Sequence, residues 1–192
     1  MEVHQEMEEI LARKLNKASA VIITTNSKER KFLFQRKTDD YPRKKKKIKN
    51  LTSTVRDFAS TLCLFGGNSE EEDQKPLDTL RRELSEELPN ISEYITENST
   101  FFSTFELDVP IPNKPNYNFH SNIFVCEISE DLMENFIKDS CLEGKMEVID
   151  EVELKNNQFC WGYCHILTHY LKTIKSETSI VRKNDIIWRI ID

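Results

Sequence analysis

The chain has 192 residues, which fits one compact domain of ordinary size. Hydrophobic residues make up 38% and charged residues 31%, a balance typical of a soluble globular domain and not of a disordered chain. The net charge of −6 argues against a general nucleic-acid coat protein, although a local basic patch can still bind phosphate.

Neither a membrane span nor a secretion signal is predicted. No uninterrupted apolar run approaches the roughly 20 residues that cross a bilayer, and the acidic N-terminus lacks the basic-then-apolar pattern of a signal peptide. The five cysteines are odd in number and widely spread, which is not the pattern of a disulfide framework. These features favour a cytoplasmic protein with no membrane partner.

The first elements in chain order are a helix and a hairpin. An amphipathic helix is predicted over 5–17, where apolar residues recur at helical spacing. A strand over 18–25, a polar turn over 26–30 and a strand over 31–35 follow, because β-branched and aromatic residues flank the turn. Residues 39–50 are predicted to form a loop that carries six positive charges.

The strongest helix prediction runs from Pro76 to Leu88. A proline suits the first helical position, leucines at positions 77, 80, 84 and 88 form one apolar stripe, and Pro89 ends the helix. A buried strand over 61–65 precedes this helix and leads into the adjacent glycines 66 and 67. The later elements are predicted as strands over 100–109, 118–128 and 145–149 and helices over 129–138 and 160–174. Because they do not alternate as strict βαβ units, the sequence predicts one mixed α+β domain over 1–192.

Three carboxylates share one face of the predicted helix. Glu83 precedes Glu86 and Glu87 by three and four residues, beside the leucine stripe. Crowded carboxylates repel unless a cation lies among them, and a hard divalent ion such as Mg²⁺ prefers oxygen ligands. A metal held there can bind and polarise a diphosphate and help to generate an attacking hydroxide. The alternative is an ordinary solvated acidic face, which is common on surface helices.

The whole segment resembles the Nudix box, G-x5-E-x7-R-E-U-x-E-E-x-G-U, in which U is a bulky apolar residue. The phrase LFGG…LRRELSEEL carries the likeness. Its matching residues are Gly67, Arg82, Glu83, Leu84, Glu86 and Glu87. The resemblance covers about residues 18–172 and implies a Nudix-like α/β/α sandwich with a mixed sheet. The N-terminal helix and the tail over 173–192 then stand as additions.

The resemblance also implies a pyrophosphohydrolase that cleaves a diphosphate linkage in a nucleoside diphosphate bonded to another group. Such enzymes use Mg²⁺ or Mn²⁺, which Glu83, Glu86 and Glu87 and the backbone carbonyl of Gly67 would bind. Arg82 would support the loop and helix by ion pairing. The partner implied is a small-molecule nucleoside diphosphate derivative, and a homodimer is an open alternative because many relatives dimerise.

Two further segments match many members of the family. Leu142-Glu143-Gly144 resembles a late E-G turn, which makes Glu143 the candidate for a further metal ligand or a base. The alternative for Glu143 is an ordinary exposed turn. Phe34-Gln35-Arg36 resembles the L-x-Q-R strand that precedes the box, so Arg36 is a candidate ligand of substrate phosphate.

A basic run follows that strand. Its Arg43, Lys44 and Lys45 are further candidates for binding substrate phosphate, since such a cluster attracts a polyphosphate, an RNA cap or an inositol pyrophosphate. An RNA-cap or inositol-pyrophosphate hydrolase is therefore an alternative function. The run also suits a nuclear-import patch or a solvated loop.

The box departs from the family pattern at its first glutamate. Counting back from Arg82, that position holds Gln74, while Gly67 lies one residue too far upstream, as a one-residue insertion would produce. Glu72 or Asp73 is expected to supply the carboxylate from a shifted loop, and Pro89 replaces the late glycine. Because Gln74 departs from the pattern, a catalytically silent Nudix-like module that binds a nucleotide or a protein is the alternative to the enzyme.

Two other groups of residues have structural and functional interpretations. Cys160 and Cys164, with His165 and His169 nearby, are predicted to be buried thiols of an apolar helix in preference to zinc ligands. Phenylalanines alternate with polar residues in the later strands, and most are predicted to be core residues while one or two stack on a base. These are Phe101, Phe102, Phe105, Phe119 and Phe124.

Overall fold

The computed structural model describes residues 17–39, 59–107, 119–138, 144–180 and 188–191. Within these ranges the chain forms one mixed sheet of eight strands with helices on both faces. Most of the predicted helix over 5–17 and of the basic loop over 39–50 lies outside the described residues, although Lys17 is the first residue of a strand. No helix in the described part of the chain is long and apolar enough to cross a membrane.

The predicted hairpin is confirmed. Strands β1 (Lys17–Thr25) and β2 (Lys31–Lys37) are antiparallel, and direct pairing joins Ile23 with Leu33 and Thr24 with Phe32. Its turn is closed by side chains, because the Lys31 N–H donates to Thr25 Oγ1 at 2.9 Å and Thr24 Oγ1 donates to the Lys31 carbonyl at 2.9 Å.

Beyond this short contact the two strands separate and the next segment of chain enters between them. Strand β3 (Leu62–Cys63) pairs with the end of β2, and strand β4 (Phe65–Asn68) pairs with the start of β1. The predicted strand over 61–65 is thus two short strands. The glycine pair lies inside β4, where Gly67 is opposite Ser19.

The rest of the sheet extends from both outer edges of the hairpin. Strand β6 (His120–Ile128) runs parallel to β1, and β5 (Ser99–Leu107) is antiparallel to β6, with a bulge between Phe101 and Ser103. Strand β7 (Gly144–Asp150) pairs with β2. Strand β8 (Trp188–Ile191) pairs with β5, so part of the segment interpreted as a tail belongs to the sheet.

Two of the main helices lie where the sequence predicts them, and a third begins later than predicted. Helix α1 (Pro76–Glu87) has the predicted extent, and the Lys75 N–H donates to Asp78 Oδ2 at 2.9 Å at its start. Helix α3 (Glu130–Phe136) was also predicted, whereas α2 (Ser92–Asn98) was not, because its seven residues lack a helical apolar stripe.

The predicted helix over 160–174 begins later than expected. A 3-10 turn over Cys160–Gly162 precedes α4 (Tyr163–Thr173), since Trp161 and Gly162 have φ values of 53° and 69° that interrupt the helix. Another 3-10 helix, Glu151–Asn156, follows β7 and was not predicted.

One hydrophobic cluster lies on each face of the sheet. On the α1 face, Leu80 and Leu84 pack against Val21 and Phe65. On the α4 face, Leu167 packs in a second cluster with residues of β1, β2, β5 and β6. The arrangement confirms the predicted α/β/α sandwich with a mixed sheet.

Leu84→Ala is expected to lower the free energy of unfolding by about 2–5 kcal/mol, because this fully buried side chain leaves a cavity between α1 and the sheet. Urea denaturation at pH 7 measures the change. Ser85→Ala, at an exposed position of the same helix, is the control and should stay within about 0.5 kcal/mol of wild type. Equal effects of the two variants would contradict the assignment of the leucine stripe to the core.

Candidate functional site: a carboxylate cluster on helix α1

The glycines of β4 allow α1 to lie directly on the strand. Gly66 has φ +138°, and its N–H donates to Glu87 Oε2 at 2.9 Å. A Cβ at Gly66 would overlap the backbone of Ser19, and a Cβ at Gly67 would overlap the Glu83 carboxyl group. A side chain at position 67 would therefore displace the Glu83 carboxyl group from its place against the strand.

Four carboxylates surround the guanidinium group of Arg82. Its Nη1 lies 2.9 Å from Glu83 Oε1 and 3.5 Å from both Glu70 Oε1 and Glu86 Oε1. Its Nη2 lies 3.0 Å from Asp73 Oδ2. We call these five residues the Arg82 cluster. Negative charge exceeds positive charge within it, so the cluster attracts a further cation.

Arg82 also connects the helix to the end of β4, because Nη2 donates to the Asn68 carbonyl at 2.6 Å. Burial disfavours the charged guanidinium, but the hydrogen bonds to Asp73 and Glu83 outweigh it and raise the pKa of Arg82. Arg82 is therefore charged at every pH at which the protein is folded, as an ion-pairing support of the loop and helix requires.

Asp73 is the carboxylate of the loop before α1 that lies closest to Arg82. Its side chain is 7% exposed, whereas Glu72 and Gln74 are exposed residues. Asp73 Oδ2 also accepts the Glu70 N–H at 2.9 Å, which closes the loop around it. Of the two acids considered from the sequence, Asp73 is the one that contacts Arg82.

The environment of Asp73 favours its charged form. Burial raises its pKa, but the hydrogen bonds from Arg82, the Glu70 backbone and Thr79, with the charge of Arg82, outweigh burial and lower the pKa below its ordinary value. This carboxylate therefore contributes to stability at neutral pH.

The structure brings together five of the ten site residues that the sequence singled out. Gly67, Arg82, Glu83, Glu86 and Glu87 all lie at the contact between α1 and β4. Glu86 is 56% exposed, whereas Glu87 is buried.

Arg36 lies elsewhere. It is on the α4 face of β2, where its Nη2 donates to Glu147 Oε1 at 2.8 Å and its Nη1 to the Ser60 carbonyl at 2.8 Å. The hydrogen bond to Glu147 lowers the pKa of that carboxylate. Arg36 therefore does not join the Arg82 cluster. Glu143, Arg43, Lys44 and Lys45 lie outside the described residues.

The thiol prediction is confirmed for the cysteines that the structure describes. Cys160 and Cys164, the two cysteines of that prediction, are buried, as are Cys63 and Cys126, and none of the four forms a disulfide with another described residue. Burial raises the pKa of Cys160, so its thiol is protonated at neutral pH and is a poor nucleophile.

No group of three or more His, Cys, Asp or Glu side chains in the described ranges is arranged to hold a metal ion. The reason is visible at α1, where Arg82 holds Glu83 and Glu86 while the Gly66 N–H holds Glu87. The chemistry of the set nevertheless suits Mg²⁺ or Mn²⁺, because it supplies several carboxylate oxygens and excess negative charge at one edge of the helix. A bound ion would have to replace contacts that these carboxylates make to Arg82 and Gly66.

The fold is similar to several solved structures. A mutT/nudix family protein from Listeria innocua has a TM-score of 0.53 at 15% identity, covering 83% of this chain and 93% of that chain. The Nudix hydrolase RenU from M. smegmatis has a TM-score of 0.51 at 12% identity, covering 84% of this chain and 89% of that chain. The chain has the Nudix fold.

A third similar Nudix structure is from Shewanella oneidensis NrtR. Its NUDIX domain complexed with ADP ribose has a TM-score of 0.53 at 10% identity, covering 82% of this chain and 87% of that chain. No family model matches the sequence of this chain, and no curated protein matches it. The similarity to these solved structures therefore establishes the fold alone.

Asp73→Asn is expected to lower the free energy of unfolding at pH 7 by about 1.5–3 kcal/mol, because Arg82 loses a charged hydrogen-bond partner. Since folding lowers the pKa of Asp73, its contribution is full above the unfolded pKa of about 4 and is lost as the pH falls through the folded value. Urea denaturation of both proteins between pH 7 and pH 3 should show the difference shrinking at the acidic end.

Glu72→Gln is the matched control, because this neighbouring acid is exposed. It should leave stability within about 0.5 kcal/mol of wild type at each pH. A difference between wild type and Asp73→Asn that stayed constant down to pH 3 would contradict the ion pair.

Proposed function

We propose that this chain is a metal-dependent hydrolase that cleaves a diphosphate linkage in a nucleoside diphosphate-linked small molecule. The observation that carries the proposal is the Arg82 cluster, in which one guanidinium meets four carboxylates beside a glycine strand. A solvated acidic face does not require this arrangement, because its side chains would extend separately into water. The Nudix fold supports the same conclusion.

Glu83, Glu86 and Glu87 would hold Mg²⁺ or Mn²⁺, with the Gly67 carbonyl beside them. The ion would neutralise phosphate charge and lower the pKa of a water molecule. Arg82 keeps Glu83 and Glu86 oriented, and Asp73 keeps Arg82 in place. Glu86 is the most exposed of the three helix carboxylates and is the one best placed to reach solvent or substrate. Glu143 is proposed as the further metal ligand or base.

The substrate class proposed is a nucleoside diphosphate joined to a second group. The NUDIX domain of NrtR, which has this fold, was solved with such a molecule, ADP ribose. The basic residues Arg43, Lys44 and Lys45 would add attraction for phosphate.

The alternative is a nucleotide-binding module without hydrolysis. Two observations favour considering it. Gln74 stands at the first glutamate position of the box, and the carboxylates of α1 are engaged by Arg82 and Gly66. Turnover measurements separate this alternative from the enzyme.

Glu86→Gln is expected to reduce metal-dependent turnover about 100-fold or more, because the variant loses a charged ligand of an ion that contributes several kcal/mol. Phosphate and nucleotide release would be measured with Mg²⁺ or Mn²⁺ over a panel of nucleotide sugars, ADP-ribose, dinucleoside polyphosphates and nucleoside triphosphates.

Glu97→Gln is the matched control, since it removes an exposed carboxylate from α2 and should leave turnover unchanged. Loss of turnover in Glu86→Gln alone would support the enzyme. Absence of turnover from folded wild-type protein that still binds nucleotides would overturn the proposal in favour of the binding module.

A further inference from the structure

The register of the sheet places a row of polar residues beside the Arg82 cluster. Gly67 is opposite Ser19, Ser19 is opposite Asn122, and Asn122 is opposite Thr104. Because paired residues share a face, all four lie on the α1 face of the sheet. Thr104 Oγ1 donates to Asn122 Oδ1 at 3.0 Å, and this hydrogen bond joins the members of the row on β5 and β6.

A second polar row lies next to the first. Lys17 is opposite His120, His120 is opposite Glu106, and Glu106 is opposite Arg189. The Glu106 carboxylate lies 3.8 Å from His120 Nε2 and 3.7 Å from Arg189 Nη2. The His120 and Glu106 side chains remain partly exposed.

The polar rows interrupt an otherwise apolar surface. Farther along the same face, β1 and β6 present Val21 and Phe124 to the leucines of α1. On the opposite face, the neighbouring residues Ala20 and Ile123 belong to the core. Ser19 and Asn122 are buried and donate hydrogen bonds to backbone carbonyls of the protein. The outer members of the rows on β5 are partly exposed, so a polar ligand can contact the polar face there.

An exposed aromatic ring borders this polar surface. Phe101 is opposite Phe124, one row beyond Asn122 and Thr104 on the α1 face. It remains 58% exposed while its ring meets Phe124 edge-on, with centroids 5.8 Å apart and planes at 78°. The edge contact fixes the ring, so Phe101 can stack on a flat ligand with little loss of side-chain freedom.

The distances fit one elongated ligand. Neighbouring strands are about 4.8 Å apart, so Asn122 lies roughly 10 Å and Thr104 roughly 14 Å from the strand of Gly67. A nucleoside diphosphate with its diphosphate at the Arg82 cluster would have to span this distance to bring its base to Thr104. A diphosphate at the Arg82 cluster would therefore direct its nucleoside along the polar rows toward Phe101.

We propose that this surface, formed by Thr104, Glu106 and Phe101, binds the base of the nucleoside diphosphate, with Phe101 as the stacking residue. The inference rests on the proposed function for the position of the diphosphate. It extends that function by assigning the residues that select a nucleotide over other diphosphates. An inositol pyrophosphate, which has no flat base, would gain nothing from Phe101.

The test compares two non-hydrolysable probes that differ by the nucleoside. Titration calorimetry with Mg²⁺ measures the Kd of α,β-methylene nucleoside diphosphates carrying each of the four bases and the Kd of methylenediphosphonate. Phe101→Ala is expected to weaken binding of the best nucleotide about 5- to 150-fold and to leave binding of methylenediphosphonate unchanged, because stacking on an aromatic side chain contributes about 1–3 kcal/mol per base. Glu106→Gln is expected to change the order of preference among the four bases.

Each variant has a matched control. Val152→Ala removes an apolar side chain that is 61% exposed in the 3-10 helix after β7. Glu127→Gln removes a carboxylate on the α4 face of β6, where it pairs with Arg30 at 3.2 Å. Neither control should alter the Kd of any probe.

The outcomes separate this inference from the proposed function. Equal affinity of wild type for the best nucleotide and methylenediphosphonate, or equal weakening of both by Phe101→Ala, would overturn the base site and leave hydrolysis standing. Selective weakening by Phe101→Ala in a protein with no turnover would support the base site and overturn hydrolysis. Failure of wild type to bind either probe would overturn both.

Discussion

The ion pairs of Arg82 are the contacts on which the candidate site depends. One guanidinium joins the loop before α1 through Asp73, the helix itself through Glu83 and the end of β4 through the Asn68 carbonyl. Removing this charge would leave four acids close together without compensation, and their repulsion would separate the loop from the helix. The same charge keeps the acids in a geometry from which a second cation can take over some of their contacts.

The sequence predicted the parts of the fold that depend on local signals. The hairpin, α1 and the buried leucines followed from alternation, from Pro76 and from helical spacing. The separation of β1 from β2 around β3 and β4 was beyond such reasoning, because it depends on pairing between distant segments. The start of α4 was misplaced because the left-handed conformation of Trp161 is set by tertiary contacts, such as the hydrogen bond that Trp188 donates to its carbonyl.

The candidate site also has parts that the sequence predicts and parts that it does not. The acids of α1 were visible as a motif, and the choice between Glu72 and Asp73 required the loop geometry. Arg36 followed the family pattern in sequence, yet its partner Glu147 comes from a strand far along the chain. The polar rows left only a weak signal, the alternation of His120 and Asn122 in an otherwise apolar strand, and no signal at all for their position beside Gly67.

The parallel pairing of β1 with β6 brings the polar rows beside the acids of α1, although the two features come from separate stretches of the chain. The acids and the glycines of β4 belong to one continuous stretch, so their mutual contacts can form early in folding. The polar rows exist only after Lys17 has paired with His120, a non-local step that is slow in β-rich proteins. A chain that lacked this pairing would carry the acids of α1 without the polar rows beside them. Substitutions in β6 can accordingly change the polar rows while the acids of α1 keep their arrangement.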